Sequence, residues 1–141
     1  MNNETPEQTF RGIERRLDCA LNTAAPQLNE LGIAVRDASC RSYHYKNQFL
    51  SWEQSFTREH DIDLQVARAE VQLTYMEPIE AAQPPEVKVS CRSQLFRQAQ
   101  ESSKDLKYEQ SISLENVLHI GLASFVLSHI EGGESSLKNA P

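Results

Sequence analysis

Glycine is scarce in this sequence, and its scarcity narrows the kinds of active site that the chain can build. Only five of the 141 residues are glycine. The sequence contains no glycine-rich phosphate loop, no G-x-S-x-G motif and no H-E-x-x-H motif. Enzymes that use these motifs to hold phosphate, expose a serine or bind catalytic zinc are therefore excluded. The sequence favours a protein that is not an enzyme, and it predicts no cofactor.

Cysteine and histidine are also few, which bears on disulfides and metals. The three cysteines, Cys19, Cys40 and Cys91, lie far apart without a C-x-x-C pair, a pattern typical of free thiols in a reducing compartment. His119 and His129 are separated by about 280° around a helix, so they cannot chelate one ion together. Nothing in the sequence brings a histidine to Cys91. We therefore predict neither a disulfide, nor a metal site, nor a cysteine nucleophile.

Positive charge and long apolar runs are limited as well. Lys and Arg total 14 against 20 Asp and Glu, which gives a net charge of −6, the wrong sign for a surface that follows phosphates. The longest apolar or small run, Ile120 to Leu127, is far shorter than the roughly 20 residues that cross a bilayer. The opening MNNETPEQ lacks the cationic start and apolar stretch of a secretory signal. We expect no nucleic-acid partner, no membrane partner and a cytoplasmic location.

A long amphipathic helix is predicted near the start of the chain. Thr5, Pro6 and Gln8 form a capping box with proline at the first helical position. Apolar residues then recur at steps of three and four: Phe10, Ile13, Leu17, Ala20, Leu21, Ala24, Leu28 and Leu31. Pro26 predicts a kink, or a break into a helix pair near Thr23, and Gly32 is expected to close the second segment.

The apolar period changes to two in the middle of the chain, which predicts strands. A two-residue turn at Lys46 and Asn47 would place Tyr43 opposite Leu50 in a hairpin. Three further strands are indicated by alternating apolar residues at 67–75, 87–95 and 106–114. The polar segment ESSKD reads as the last turn, which would place Ser93 beside Ile112.

A final helix is predicted between Ser113, which can cap it, and Gly132, which can end it. One side would face the sheet with Leu114, Val117, Leu118, Gly121, Leu122 and Phe125. The other side is also apolar and carries Ile120, Ala123, Val126, Leu127 and Ile130. Leaving that second side in water would cost about 5 kcal/mol. Either the first helix or another molecule must cover it, and because the first helix has one narrow stripe we expect a second subunit.

These patterns together predict an α+β fold. We expect an N-terminal helix or kinked helix pair, an antiparallel meander of four to five strands, and a C-terminal helix packed on the sheet. The domain is expected to span residues 1–131, with a disordered tail over 132–141. A strand meander followed by a helix resembles the arrangement in small acidic export chaperones of the SecB kind. The chain departs from them by opening with a long capped helix, and the resemblance rests on arrangement alone.

The leading functional interpretation is a non-enzymatic protein-binding module, an adaptor or chaperone-like protein. It would act as a homo-oligomer through the apolar C-terminal helix and present a surface to a protein client. The alternative is a small-molecule-binding protein or small enzyme with a pocket between sheet and helices, lined by Tyr43, Tyr45, Trp52 and Tyr75. The opposite sheet face carries candidate anion contacts, Arg68, Lys88 and Arg92. Core aromatic residues and a solvated sheet face would explain the same patterns.

Overall fold

The computed structural model describes residues 5–35, 43–44, 49–62, 65–80, 82–97 and 102–139. Its helices and strands follow one another along the chain as α1 (Pro6–Glu30), β1 (Ala34–Val35), β2 (Tyr43–His44), β3 (Phe49–Ile62), β4 (Gln65–Met76), β5 (Glu86–Arg97), β6 (Ser102–Ser113), α2 (Leu114–Ile120) and α3 (Leu122–Asn139). The helices pack on an antiparallel sheet, so the predicted α+β class is confirmed. Within the described helices, none combines the length and the apolar character that a membrane crossing requires.

Helix α1 begins at the predicted capping box. The Gln8 amide donates to Thr5 Oγ1 at 3.2 Å, and Gln8 Oε1 accepts from the Thr5 amide at 2.9 Å. The helix then runs through Pro26 without a break, so the alternative of a helix pair is wrong. Proline removes a single amide donor, whereas Ala24 and Leu28 on either side of it are both buried in the same core. Tertiary packing of the apolar face therefore holds the two segments in one helix.

The end of α1 is closed as the sequence predicts, by a left-handed glycine. Gly32 has φ of 77°, a conformation that glycine adopts without steric cost. The Ile33 amide donates to the Leu28 carbonyl at 2.9 Å and the Gly32 amide donates to the Asn29 carbonyl at 3.1 Å. These two bonds form a Schellman motif, and the two positions that usually make its apolar contact, Leu28 and Ile33, are both buried in the core.

The sheet has the strand order β1-β3-β4-β5-β6, with β2 also paired to β3. Tyr43 lies opposite Leu50, which confirms the predicted hairpin register. The turn residues Lys46 and Asn47 lie outside the described residues. Alternate side chains of the three central strands point toward the helices and form the core: Trp52, Phe56, Val71, Leu73, Val87 and Val89. The other face of the sheet carries mostly polar side chains and is not covered by the described helices.

Strand β6 differs from its prediction in register. Cys91 lies opposite Tyr108, and Ser93 lies opposite Leu106 rather than Ile112. The predicted turn residues 102–105 belong to the strand itself, so the true connection falls earlier in the chain. Because the displacement is an even number of residues, the apolar side chains of β6 still point to the helix side.

The C-terminal helix also differs from its prediction. Gly121, with φ of 95°, separates α2 from α3, and a left-handed residue cannot continue an α-helix. Helix α3 then continues to Asn139, through residues where the sequence predicts a tail. At Gly133 the helix lies so close to the sheet that a Cβ on this residue would lie 2.2 Å from Ser93 Oγ. This glycine lets the helix approach the sheet, and Leu137 beyond it is buried.

An ion-pair cluster ties the last turns of α3 to the sheet. Both nitrogens Nε and Nη2 of Arg58 donate to the Glu134 carboxylate, at 2.9 and 2.6 Å. His60 Nε2 lies 2.8 Å from the same carboxylate, and Arg58 Nη1 donates to the Leu31 carbonyl at 3.0 Å. Burial acts to raise the pKa of Glu134, but the hydrogen bonds and charge of Arg58 outweigh it and hold the pKa below its ordinary value.

Candidate functional site: a groove between the helices

A groove opens to solvent between α1 and the pair α2 and α3. Its volume is about 650 Å³. The floor is formed mainly by apolar side chains, with Ala24 and Leu122 buried and Leu118 partly exposed. Exposed side chains of both helices form the walls, among them Thr23 and Ser124. We call this surface the helix groove.

Small side chains produce the helix groove. On α1, Cys19, Ala20 and Thr23 lie within about one helical turn of each other and line the groove on the side that faces α3. On the facing side, Gly121 and Ala123 stand where the chain passes from α2 to α3. Side chains this short cannot fill the space between two helices whose larger residues point into the core. The result is a trough on the outer side of the helix layer rather than a closed cavity.

The rim at one end of the helix groove carries charge. Arg15 and Arg16 both line it, although the chain as a whole has a net charge of −6. Arg16 forms a salt bridge with Glu115 across the two helices, with Nη1 and Oε1 2.9 Å apart. The hydrogen bond and the charge of Arg16 lower the pKa of Glu115. Both side chains are largely exposed, so this pair positions the helices without contributing much stability.

The predicted interface residues of the C-terminal helix separate into two groups. Val126 and Ile130 are fully buried within this chain, against the core formed by the sheet and α1. Ala123 and Leu127 are partly buried, and Ile120 remains 54% exposed. The break at Gly121 is the reason, because it resets the direction of the helix and turns Val126 and Ile130 inward. Of these five predicted interface residues, Ile120, Ala123 and Leu127 therefore keep surface that another molecule can contact.

The predicted aromatic pocket is occupied by packed side chains where the structure describes it. Trp52 is completely buried, and its indole Nε1 donates to Asp18 at 2.9 Å. Phe10 of α1 stacks on Tyr75 with ring centroids 5.6 Å apart. Burial, with a smaller contribution from the Glu77 charge, raises the pKa of Tyr75 to about 12. For the other two predicted residues, Tyr43 is described by its backbone alone and Tyr45 lies outside the described residues.

The candidate anion contacts lie on the open sheet face, but each faces an acidic residue. Arg92 forms a two-bond pair with Asp105, whose nearest N–O distance is 2.8 Å. Lys88 Nζ lies 3.4 Å from Glu109. Arg68 lies between Glu59 and Glu70, at 3.6 and 3.7 Å. The three cations thus share their face with acids, which is the pattern of a solvated sheet surface.

A thiol, an imidazole and a phenol meet where the sequence reasoning did not place them. His129 Nδ1 lies 3.7 Å from Cys91 Sγ and 2.5 Å from Tyr108 Oη. Burial raises the pKa of Cys91 and lowers the pKa of His129. These directions favour a neutral thiol beside a neutral imidazole, the opposite of an activated thiolate pair. The register of β6 is the signal that would have revealed the cluster, because Cys91 and Tyr108 are cross-strand neighbours.

No group of three or more histidine, cysteine or acidic side chains that could hold a metal occurs within the ranges described above. Cys40, one of the three cysteines, lies outside those ranges. Comparison with protein-family models, with curated proteins and with solved structures finds no match for this chain. Its function must therefore be argued from the geometry of its own residues.

Proposed function

We propose that the protein is a non-enzymatic protein-binding module, of the adaptor or chaperone-like kind, that holds an apolar segment of a partner protein in the helix groove. The observation that supports this function best is the groove itself: about 650 Å³ of solvent-open space over an apolar floor. Binding an apolar segment would remove that floor from water, which is the main favourable term in protein association.

The shape of the helix groove suits a polypeptide. Grooves between helices accept an amphipathic helix or an extended segment whose apolar side chains enter at intervals of one turn. The short side chains of Ala20, Thr23 and Ala123 leave room for such side chains to enter. The exposed Ile120 stands next to the groove in sequence and adds apolar surface beside it. The cationic rim at Arg15 would favour a partner segment with an acidic residue near its apolar ones.

A second copy of the chain is one partner that this proposal includes. Of the surface predicted from the sequence for a homo-oligomer, Ile120, Ala123 and Leu127 remain accessible for that contact. The buried pair, Val126 and Ile130, contributes to the stability of the helix layer instead. The proposal therefore assigns binding to the outer side of the helices and folding to the inner side.

The test compares two substitutions of neighbouring exposed residues on α1. Thr23 lines the helix groove, whereas Asn22 is exposed but does not line it. The binding of a fluorescently labelled, reduced and carboxymethylated test protein, which cannot fold, is measured by anisotropy. We expect Asn22→Glu to bind like the unmodified chain and Thr23→Glu to bind about tenfold more weakly, because its carboxylate would lose hydration on burial. Equal binding by the two variants would contradict the proposal, and sedimentation of the same samples identifies self-association.

A further inference from the structure

Strand β6 is a long edge strand with an accessible side. It spans Ser102–Ser113 and pairs with β5, and none of the other described strands lies on its second side. Every residue from Asp105 to Ser111 is exposed. Its pairing with β5 is regular from Lys104 to Ser113, and the one register shift, between Leu95 and Phe96 of β5, lies at the start of β6. The regular part presents a row of backbone donors and acceptors that can pair with another strand. Such an edge needs either a partner or a feature that blocks pairing.

We propose that the free edge of β6 pairs antiparallel with β6 of a second copy of this chain, about a two-fold axis at which Tyr108 faces the partner's Tyr108. The surface belongs to the sheet edge and is separate from the helix groove, so the inference goes beyond the proposed function. Three properties of the strand support it: the direction of its side chains, the order of its charges, and the way Tyr108 is held.

The direction of the side chains restricts the register. Residues directly opposite each other in an antiparallel pair point to the same face. In β6, Leu106 and Tyr108 point to the helix side, while Lys107 and Glu109 point to the open face. The two copies keep their apolar side chains together only when Tyr108 meets a residue of its own face. A register shifted by one residue would set Tyr108 against the partner's Lys107, so half of all registers are disfavoured.

The order of the charges selects between the two same-face registers that align the most residues, eleven of the twelve in β6. In one of them, Lys107 would face the partner's Lys107, and Asp105 would face the partner's Glu109. In the other, Lys107 faces the partner's Glu109 on both sides of the axis, and Asp105 faces the partner's Ser111. Opposite charges across a strand pair stabilise it and like charges destabilise it. The second register aligns residues 103–113, of which 104–112 lie in the regular part of β6 in both copies, and it is the one that we propose.

Tyr108 is held in place for this contact. Its hydroxyl is hydrogen-bonded to His129 Nδ1, and its ring lies 6.0 Å from the imidazole. The side chain is nevertheless 45% exposed, and Leu106 beside it is 38% exposed. An aromatic ring whose rotation is already restricted loses little freedom when it is buried by a partner. The two-fold pairing would cover both Tyr108 rings and extend the apolar side of the sheet across the axis.

The test uses reciprocal charge reversal and sedimentation velocity on the full chain. We expect the unmodified protein to be a dimer at micromolar concentration. Lys107→Glu sets acids opposite acids, and Glu109→Lys sets bases opposite bases, so each should raise the dimer dissociation constant by about tenfold or more. Mixing the two variants should restore dimers with near-original affinity, because opposite charges meet again. Lys138→Glu makes the same charge change on exposed α3 and should leave the dimer unchanged.

Several outcomes would overturn this inference. One is a protein that stays monomeric at high micromolar concentration, and another is a dimer that Lys107→Glu leaves intact. A mixture of the two variants that stays monomeric, with both folded by circular dichroism, would also refute the register. If Thr23→Glu dissociates the dimer and Lys107→Glu does not, the copies associate through the helix groove instead. If Lys107→Glu abolishes binding of the unfolded test protein to a monomer, the edge receives a strand from that protein.

Discussion

The two adjacent glycines of α3 give the most discriminating stability prediction, because the same substitution should have opposite signs at neighbouring positions. A Cβ at Gly132 would meet nothing within 4 Å, whereas a Cβ at Gly133 would lie 2.2 Å from Ser93 Oγ. Replacing glycine by alanine in a helix interior stabilises by about 1 kcal/mol. Forcing extra volume into a packed contact costs about 1 to 3 kcal/mol. Gly132→Ala should therefore stabilise by about 1 kcal/mol, and Gly133→Ala should destabilise by about 1 kcal/mol.

Urea unfolding followed by circular dichroism measures both effects. The double variant Ser93→Ala with Gly133→Ala identifies the cause, because it removes the clashing hydroxyl and leaves contacts of 3.5 and 3.7 Å, which are ordinary van der Waals distances. Relative to Ser93→Ala alone, the added Gly133→Ala should no longer destabilise. Equal effects of Gly132→Ala and Gly133→Ala would refute the reasoning, because they would mean that α3 does not approach the sheet at Gly133 or that residues 132–139 are not helical.

Two further predictions concern titration and thiol chemistry. Because the pKa of Glu134 is lowered in the folded protein, its ion pair stabilises the fold at pH values above the unfolded pKa, and this stabilisation is lost as the pH falls through the folded pKa. Glu134→Gln should therefore destabilise the protein by about 2 kcal/mol at neutral pH and much less in acid. Urea unfolding at the two pH values measures the difference. If the two chains lose stability equally on acidification, the ion pair with Arg58 is not formed. In a Cys40→Ser background, a thiol-reactive dye at neutral pH should label the exposed Cys19 quickly. The buried Cys91, whose pKa is raised, should be labelled only on unfolding. Rapid labelling of both cysteines would contradict the packing of Cys91 against α3.

Local signals in the sequence were sufficient for much of the fold. The capping box at Thr5 and the left-handed Gly32 place the ends of α1, because both features act within one helical turn. The alternation from Ala67 to Tyr75 predicts β4 and the side that it buries, because a strand covered on one face must alternate. The Tyr43 to Leu50 register also follows from local spacing, since a short turn fixes which residues meet.

The features that the sequence did not reveal depend on contacts between distant residues. The pattern from Leu114 onward reads as one helix because apolar spacing continues through Gly121, and only the structure shows its left-handed backbone. Gly133 resembles a helix stop, but its role depends on Ser93, which is distant in sequence. The pairing of Cys91 with Tyr108 requires the true start of β6, which the polar run at 102–105 disguises as a turn.

The differences between the sequence predictions and the structure affect the assignment of the binding site more than the assignment of the fold. The sequence correctly shows that the C-terminal segment is apolar on more than one side, but it cannot tell which side the chain covers by itself. The structure buries Val126 and Ile130 and leaves Ile120 at the surface. The helix groove has no sequence signature, because Ala20 and Ala24 fit the apolar stripe of α1 as well as larger residues would. The space that these small side chains leave becomes visible only when α1 is packed beside α2 and α3.

The claim that the helix groove is the binding surface is tested most directly by mapping amide chemical-shift changes. A ¹⁵N-labelled chain is titrated with the reduced and carboxymethylated test protein, and the shifted amides are located on the structure. We expect the largest changes around Thr23 of α1 and Gly121 to Ser124 between α2 and α3, with little change at Lys88 and Arg92 on the open sheet face. Changes confined to the open sheet face, with the groove amides unmoved at saturation, would contradict the account.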